Sequence, residues 1–243
     1  MRQSVLIAGL ERSGKTYFAE GIAAKYVSIG KTAVLYNAGN DKDFSNAEIC
    51  NPVTLDQMVR RMPKSKRHLI DRLECLEFFE DEKTGKIIPF KLFRKFYAGK
   101  MVKIYAIDDE RYLFESFFRY VFDTLIIFDD FGANTRHGLS SNLIRLCSRK
   151  NHAGHKYCNE LPPGIDTFFI YHSLDTPPPQ LYNYLTRIVL FRLNSIPEKR
   201  INNEALWAAV SDCIEQLKSL PKYSHFEILL RECENIVTIK NTN

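Results

Sequence analysis

Val5-Leu6-Ile7-Ala8-Gly9-Leu10-Glu11-Arg12-Ser13-Gly14-Lys15-Thr16 is the stretch on which the reading of the chain turns. Its last eight residues fit G-x-x-x-x-G-K-[ST], and they follow an uninterrupted apolar run. The pattern predicts a buried strand, a tight loop and a helix opening at Gly14. Glycines let the N–H groups of such a loop turn inward around a polyphosphate. Lys15 then reaches the β- and γ-phosphates, and Thr16 offers its hydroxyl to Mg²⁺. The helix start adds unsatisfied N–H groups and partial positive charge at the same place. Gly9, Glu11, Arg12, Ser13, Gly14, Lys15, Thr16 and Tyr17 are therefore the candidate nucleotide-binding residues.

Outward from this loop, the composition is that of one globular α/β domain. The chain has 243 residues, 45% of them hydrophobic and 26% charged, ordinary values for a folded protein. Thirty-four Lys and Arg stand against 29 Asp and Glu, a net charge of +5. That permits a polyanionic partner without requiring one. No apolar run approaches the ~18 residues of a membrane span, and a first strand at about Ser4 leaves no room for a cleaved signal peptide. Six scattered cysteines read as reduced thiols of a cytoplasmic protein. One cluster, Cys147-x4-His152-x2-His155-x2-Cys158, has zinc-type ligands. Its spacing matches no common finger, however, and Cys147 falls on the apolar stripe of a predicted helix.

Along the chain, Phe18, Ile22 and Tyr26 mark a helix after the loop, and residues 32–36 a second strand. Residues 37–52 read as loop. Thr54 caps a predicted helix over 54–62, with Pro63 its stop. A hairpin is expected about Glu82–Lys86, a helix over 91–97, a strand over 103–107 and an aromatic-striped helix over 110–122. The whole of 40–120 reads as a segment inserted into one domain spanning 1–243, and 197–243 as a C-terminal appendage. Further strands are expected over 167–171, 187–192 and 236–239. Further helices are expected over 139–149, from Pro177 to Leu185, and along Leu206, Val210, Ile214 and Leu217.

Thr124-Leu125-Ile126-Ile127-Phe128-Asp129-Asp130 completes the chemistry. Four apolar residues running into acids describe a central parallel strand whose carboxyl end opens on the ligand crevice. Asp129 sits where a Mg²⁺-ordering carboxylate belongs, and Asp130 where a base or water-orienting group belongs. Two basic groups are candidate phosphate-backbone contacts: Arg60, Arg61, Lys64, Lys66, Arg67 and His68, and Lys91, Arg94, Lys95 and Lys100. Two strand–helix units separate the phosphate loop from Asp129, and a polar residue, His172, ends the strand after it. This is the layout of ATPases that couple hydrolysis to mechanical work.

From Leu125–Asp130, through Arg149-Lys150-Asn151-His152-Ala153-Gly154, to Phe169-Ile170-Tyr171-His172-Ser173, the chain resembles the FtsK–HerA superfamily of DNA-pumping ATPases. Within it, the small genome-packaging ATPases of tailless icosahedral viruses are the most similar, and the Zot-like proteins second. Zot-like proteins usually carry a membrane-spanning segment. The resemblance covers about Ser4 to Leu193. It implies a three-layer, RecA/ASCE-like α/β fold with a central, mostly parallel sheet. It also implies ATP with Mg²⁺, a homo-oligomeric ring (pentamer or hexamer), double-stranded DNA and a capsid vertex protein as partners, and a site in the host cytoplasm or the virion. Lys15, Thr16 and Asp129 would bind phosphate and metal, and Asp130 stands where many members have Glu. Arg149 stands about where a trans-acting arginine leaves the helix, with Arg136 and Arg187 as lesser candidates. His172 occupies a sensor position that is usually Gln. The competing readings are a nucleotide or small-molecule kinase, and a P-loop switch or assembly factor.

Overall fold

Five consecutive buried residues form β1 (Ser4–Ala8), and a strand with no exposed position has both of its faces covered. The computed structural model describes residues 2–36, 44–129, 141–149, 151, 164–194, 204–230 and 239–242. After the loop comes α1 (Lys15–Ser28). Its fully buried positions are Ala19 and Ala23, with Phe18, Ile22 and Tyr26 half-buried beside them. The buried stripe is thus centred on small residues, which let a backbone lie close to its neighbour. β2 (Thr32–Tyr36) is as fully buried as β1.

Next come β3 (Glu48–Pro52), α2 (Leu55–Arg61), a 3-10 segment (Lys64–Arg72), β4 (Phe78–Asp81) and β5 (Lys86–Pro89). They are followed by α3 (Phe93–Phe96), β6 (Met101–Ile104) and α4 (Glu110–Tyr120). β7 (Thr124–Phe128), α5 (Ser141–Ser148), β8 (Ile165–Tyr171) and α6 (Pro179–Tyr182) continue the alternation. β9 (Arg187–Phe191), α7 (Glu204–Ser219), β10 (His225–Leu229) and β11 (Ile239–Thr242) complete it.

The chain divides into two compact units. Met1–Arg2, Ala23–Ile126 and Ser140–Asp166 make the first, and Gln3–Ile22, Ile127–Leu139 and Thr167–Asn243 the second. In the first unit the strands run in the order β7-β2-β6-β3-β4-β5, with only Thr124–Ile126 of β7 belonging to it. β6 is parallel to β2, with Val34 beside Val102, and parallel to β3, with Ile49 beside Lys103. β4 and β5 then add antiparallel. The Phe79 ring lies 5.5 Å from Phe90 and Phe93 and 5.4 Å from Tyr97, while α4 buries Leu113, Phe114, Phe117 and Phe118. The aromatic stripe is therefore core. Thr54 caps α2 through a reciprocal box with Gln57. Asp123, in the left-handed region at φ 52°, accepts from Lys31 at 2.9 Å and from Arg2 and Arg94 at 3.0 Å. Arg2 also reaches Asp166 at 3.1 Å, and the Tyr26 hydroxyl donates to Asp166 at 2.7 Å.

In the second unit the order is β11-β10-β9-β1-β8. β1 lies between two parallel neighbours, Ala8 pairing with Tyr171 on β8 and Leu190 on β9. β10 is antiparallel to β9, and β11 to β10. The organisation is the expected α/β one, with mostly parallel pairing inside and antiparallel pairing at the ends.

Three expectations change. Glu48–Pro52 is a strand rather than loop, because its pairing partner β6 lies some fifty residues downstream and leaves no local trace. β6 begins two residues earlier than expected. β10 was not foreseen, although His225, Phe226, Glu227 and Ile228 alternate polar and apolar, because the run is only five residues long. Of the expected strand over 236–239, residues 236–238 lie outside the described residues.

Candidate nucleotide site

The phosphate loop is rooted at both neighbours of β1. Gly9 N–H donates to Tyr171 O at 3.3 Å, and Leu10 N–H donates to Arg192 O at 2.9 Å. Only glycine fits at position 9, since a Cβ there would stand 2.5 Å from Phe191 Cβ and 2.9 Å from Ser13 Oγ. Arg12 adopts φ 56° and Gly14 φ 102°; left-handed residues of this kind curl successive N–H groups into an anion-binding concavity. Phe18 N–H then donates to Gly14 O at 2.9 Å, and the helix is under way. Ser13 Oγ is buried and has no hydrogen-bond partner among the described residues, which suits a loop built to receive oxygen acceptors.

Lys15 is only 5% exposed. Its ammonium donates to Gly9 O at 2.7 Å and Leu10 O at 2.6 Å, and lies 3.5 Å from His172 Nδ1. His172 arrives there because Tyr171, the last residue of β8, pairs with Ala8, the last of β1. Asp129 follows directly on β7, whose Phe128 ring stacks on Phe169 of β8 at 4.8 Å and 6°. The four described members of this group belong to the second unit: Lys15 and Thr16 on α1, Asp129 after β7 and His172 after β8. Asp130 lies outside the described residues. Thr16 and Asp129 supply only oxygen donors, a set that fits Mg²⁺ rather than a softer metal. Glu11, Arg12 and Tyr17 are exposed, Tyr17 by 83%.

The remaining sequence candidates are spread more widely. Arg149 is exposed one residue past α5, its N–H bonded to Arg145 O at 2.9 Å, and it belongs to the first unit. Arg187 is held by Glu227 at 3.0 Å; Arg136 lies outside the described residues. Cys147 is buried, whereas His152, His155 and Cys158 lie outside the described residues, and no cluster of metal-ligand type occurs among the described ones.

Of the basic groups, Arg60 is paired with Asp56 at 2.7 Å and Arg61 with Glu80 at 3.3 Å. Lys64, Lys66 and Arg67 are exposed on the 3-10 segment, as are Lys91 just before α3 and Lys95 on it. Arg94 is tied to Asp123 and lies 4.9 Å from the Phe122 ring, and Lys100 pairs with Glu48 at 2.9 Å. Sequence reasoning missed Phe191 and Arg192, which support the loop. Their signal is purely tertiary, because they stand some 180 residues from it.

Loop, helix and strand order define the fold of a P-loop NTPase. Among solved structures, the genome packaging NTPase B204 from Sulfolobus turreted icosahedral virus 2 in complex with ATP-γS matches with a TM-score of 0.61 at 14% identity. The match covers 100% of this chain and 97% of that one. The same protein in complex with sulfate matches at 0.60 and 13%, covering 100% and 96%. B204 described as the DNA-packaging ATPase from Sulfolobus turreted icosahedral virus matches at 0.57 and 15%, covering 99% and 97%. At these identities the likeness establishes the fold. Neither a protein-family model nor a curated protein matches the sequence. No helix among the described residues is long and apolar enough to cross a membrane.

Proposed function

We propose that this chain is an ATP-hydrolysing ring motor that translocates double-stranded DNA, packaging a viral genome into a preformed capsid. The observation that carries the reading is the placement of the Lys15 ammonium within the phosphate loop, 3.5 Å from His172. The end-to-end similarity of fold to a packaging NTPase supports it. The whole chain acts as one ATPase domain, with 40–120 as the inserted segment and 197–243 as the C-terminal appendage.

Loop N–H groups and Lys15 would hold the β- and γ-phosphates, and Thr16 and Asp129 would hold Mg²⁺. When bound, the ion neutralises phosphate charge. Asp130 orients the attacking water, and His172 bridges water and γ-phosphate, since an imidazole can both donate and accept. Arg149 of one subunit completes the site of the next, an arrangement that head-to-tail ring contacts allow. Stabilisation of charge by such positioned groups supplies most of the catalysis in phosphoryl transfer. Loss of the γ-phosphate then shifts the basic segment with Lys64, Lys66 and Arg67 on the DNA.

The test is phosphate release by purified, assembled protein with and without double-stranded DNA. Stimulation by DNA, abolished in Lys15→Ala, is expected. A rate indifferent to DNA would sink the motor reading.

A further inference from the structure

Tyr223 is 65% exposed yet held against the phosphate loop, a Cβ on Gly14 falling 3.2 Å from its Cδ1. A single exposed ring is ordinary on a protein surface; its attachment here is not. The carbonyl of Arg192, just past β9, accepts from Leu10 N–H at 2.9 Å. The guanidinium of the same residue donates to carbonyls at and just past the end of α7: Leu217 O at 3.4 Å, Lys218 O at 2.7 Å and Leu220 O at 3.3 Å. Directly afterwards, Pro221-Lys222-Tyr223-Ser224 forms a tight turn closed by Ser224 N–H to Pro221 O at 3.0 Å. Past the turn, His225 stacks on Phe191 at 5.0 Å and meets Phe18 edge-on at 4.9 Å. The turn is thus clamped at both ends to residues that support the loop.

We propose that Tyr223 is the platform on which the base of a bound nucleotide stacks, so that the C-terminal segment completes a site whose phosphate half is Gly9–Thr16. The inference rests on the nucleotide-binding reading of that loop. Phosphates filling the concavity leave the ribose and base to emerge beside the first turn of α1, where the Tyr223 ring stands against Gly14. An aromatic ring accepts the π-face of any base, and stacking reads no hydrogen-bonding edge. Tyr223 therefore contributes affinity for nucleotides as a class, with purines favoured over pyrimidines by their larger face.

Titration calorimetry of the full chain with Mg²⁺ and ATP, GTP, CTP or inorganic tripolyphosphate tests this. Tyr223→Ala is expected to weaken ATP and GTP binding about 5- to 50-fold while leaving tripolyphosphate within about twofold, and Tyr223→Phe to retain wild-type affinity. Unchanged ATP affinity in Tyr223→Ala overturns the proposal, as does an equal loss for ATP and tripolyphosphate, which would mark a structural or subunit-contact role. The same holds if Tyr17→Ala, and not Tyr223→Ala, separates the two ligands. If the wild-type protein binds neither ATP nor tripolyphosphate, the phosphate-loop reading itself falls.

Discussion

At Lys15 a cation is 5% exposed and bonded to two carbonyls of its own loop. In the proposed role such an ammonium is pre-positioned, because the charge is already desolvated and oriented before a phosphate arrives. Lys15→Ala should lower steady-state ATP turnover by at least about 100-fold, measured as phosphate release. Gly9→Ala acts differently, since its Cβ would meet the Phe191 Cβ at 2.5 Å. Backbone must shift, and a stability loss of about 1–3 kcal/mol is expected, read from urea unfolding, together with weaker nucleotide binding. His172→Ala should reduce kcat more than ATP affinity, and His172→Gln should restore part of the loss. Equal loss of both parameters would reduce His172 to a support for Lys15.

Among the elements, the Asp123 anchor joins the residues before β1, the end of α1, α3 and the start of β7 in the first unit. Partial burial pushes its carboxyl up. Hydrogen bonds and charge from Lys31, Arg2 and Arg94 outweigh that and hold it below the usual carboxylate range. A depressed pKa means that the stabilisation is complete above the unfolded value of about 3.9 and is lost as pH falls through the lower folded value. Asp123→Asn should therefore cost about 1–2 kcal/mol at pH 7. The gap between its urea midpoint and that of the wild type should narrow progressively as pH is lowered below about 5. A gap of constant size would exclude the ionic explanation. The cap of α2 is simpler. Thr54 was legible as its cap, whereas nothing near Glu48–Pro52 announced a strand that depends on β6.

On the scale of the whole molecule, the proposed ring turns two surface features into predictions. Reversing Lys64, Lys66 and Arg67 to Glu together should weaken DNA binding and flatten the dependence of log affinity on log salt, since each lost phosphate contact removes about 0.9 from the slope. A slope identical to the wild type would remove the 3-10 segment from the DNA path. Arg149→Ala should keep ATP affinity and lose about 10³-fold or more in hydrolysis. Wild-type chains mixed with Arg149→Ala should lose activity out of proportion to the mixing ratio. A strictly proportional loss would mean that each chain hydrolyses alone.

By itself the sequence determined the glycine-rich loop after the first strand, the acid-terminated strand and the alternation of strands and helices. Each of these is a local pattern in which neighbouring residues carry the physics: glycines that free the backbone, apolar runs that must be buried, a lysine one position from a helix start. Sequence alone could also nominate His172 from the end of its strand. That its ring lies 3.5 Å from the Lys15 ammonium follows only from the parallel register of β1 with β8. Burial likewise sorted the basic residues, which look alike in the sequence, into Arg94 bound to Asp123 and Lys64, Lys66 and Arg67 facing solvent. The support of Gly9 by Phe191, and the carriage of Tyr223 to Gly14 through Arg192 and α7, join residues about 180 to 210 apart in the chain. Contacts at such range are set by strand order and pairing, so only the tertiary structure could decide them.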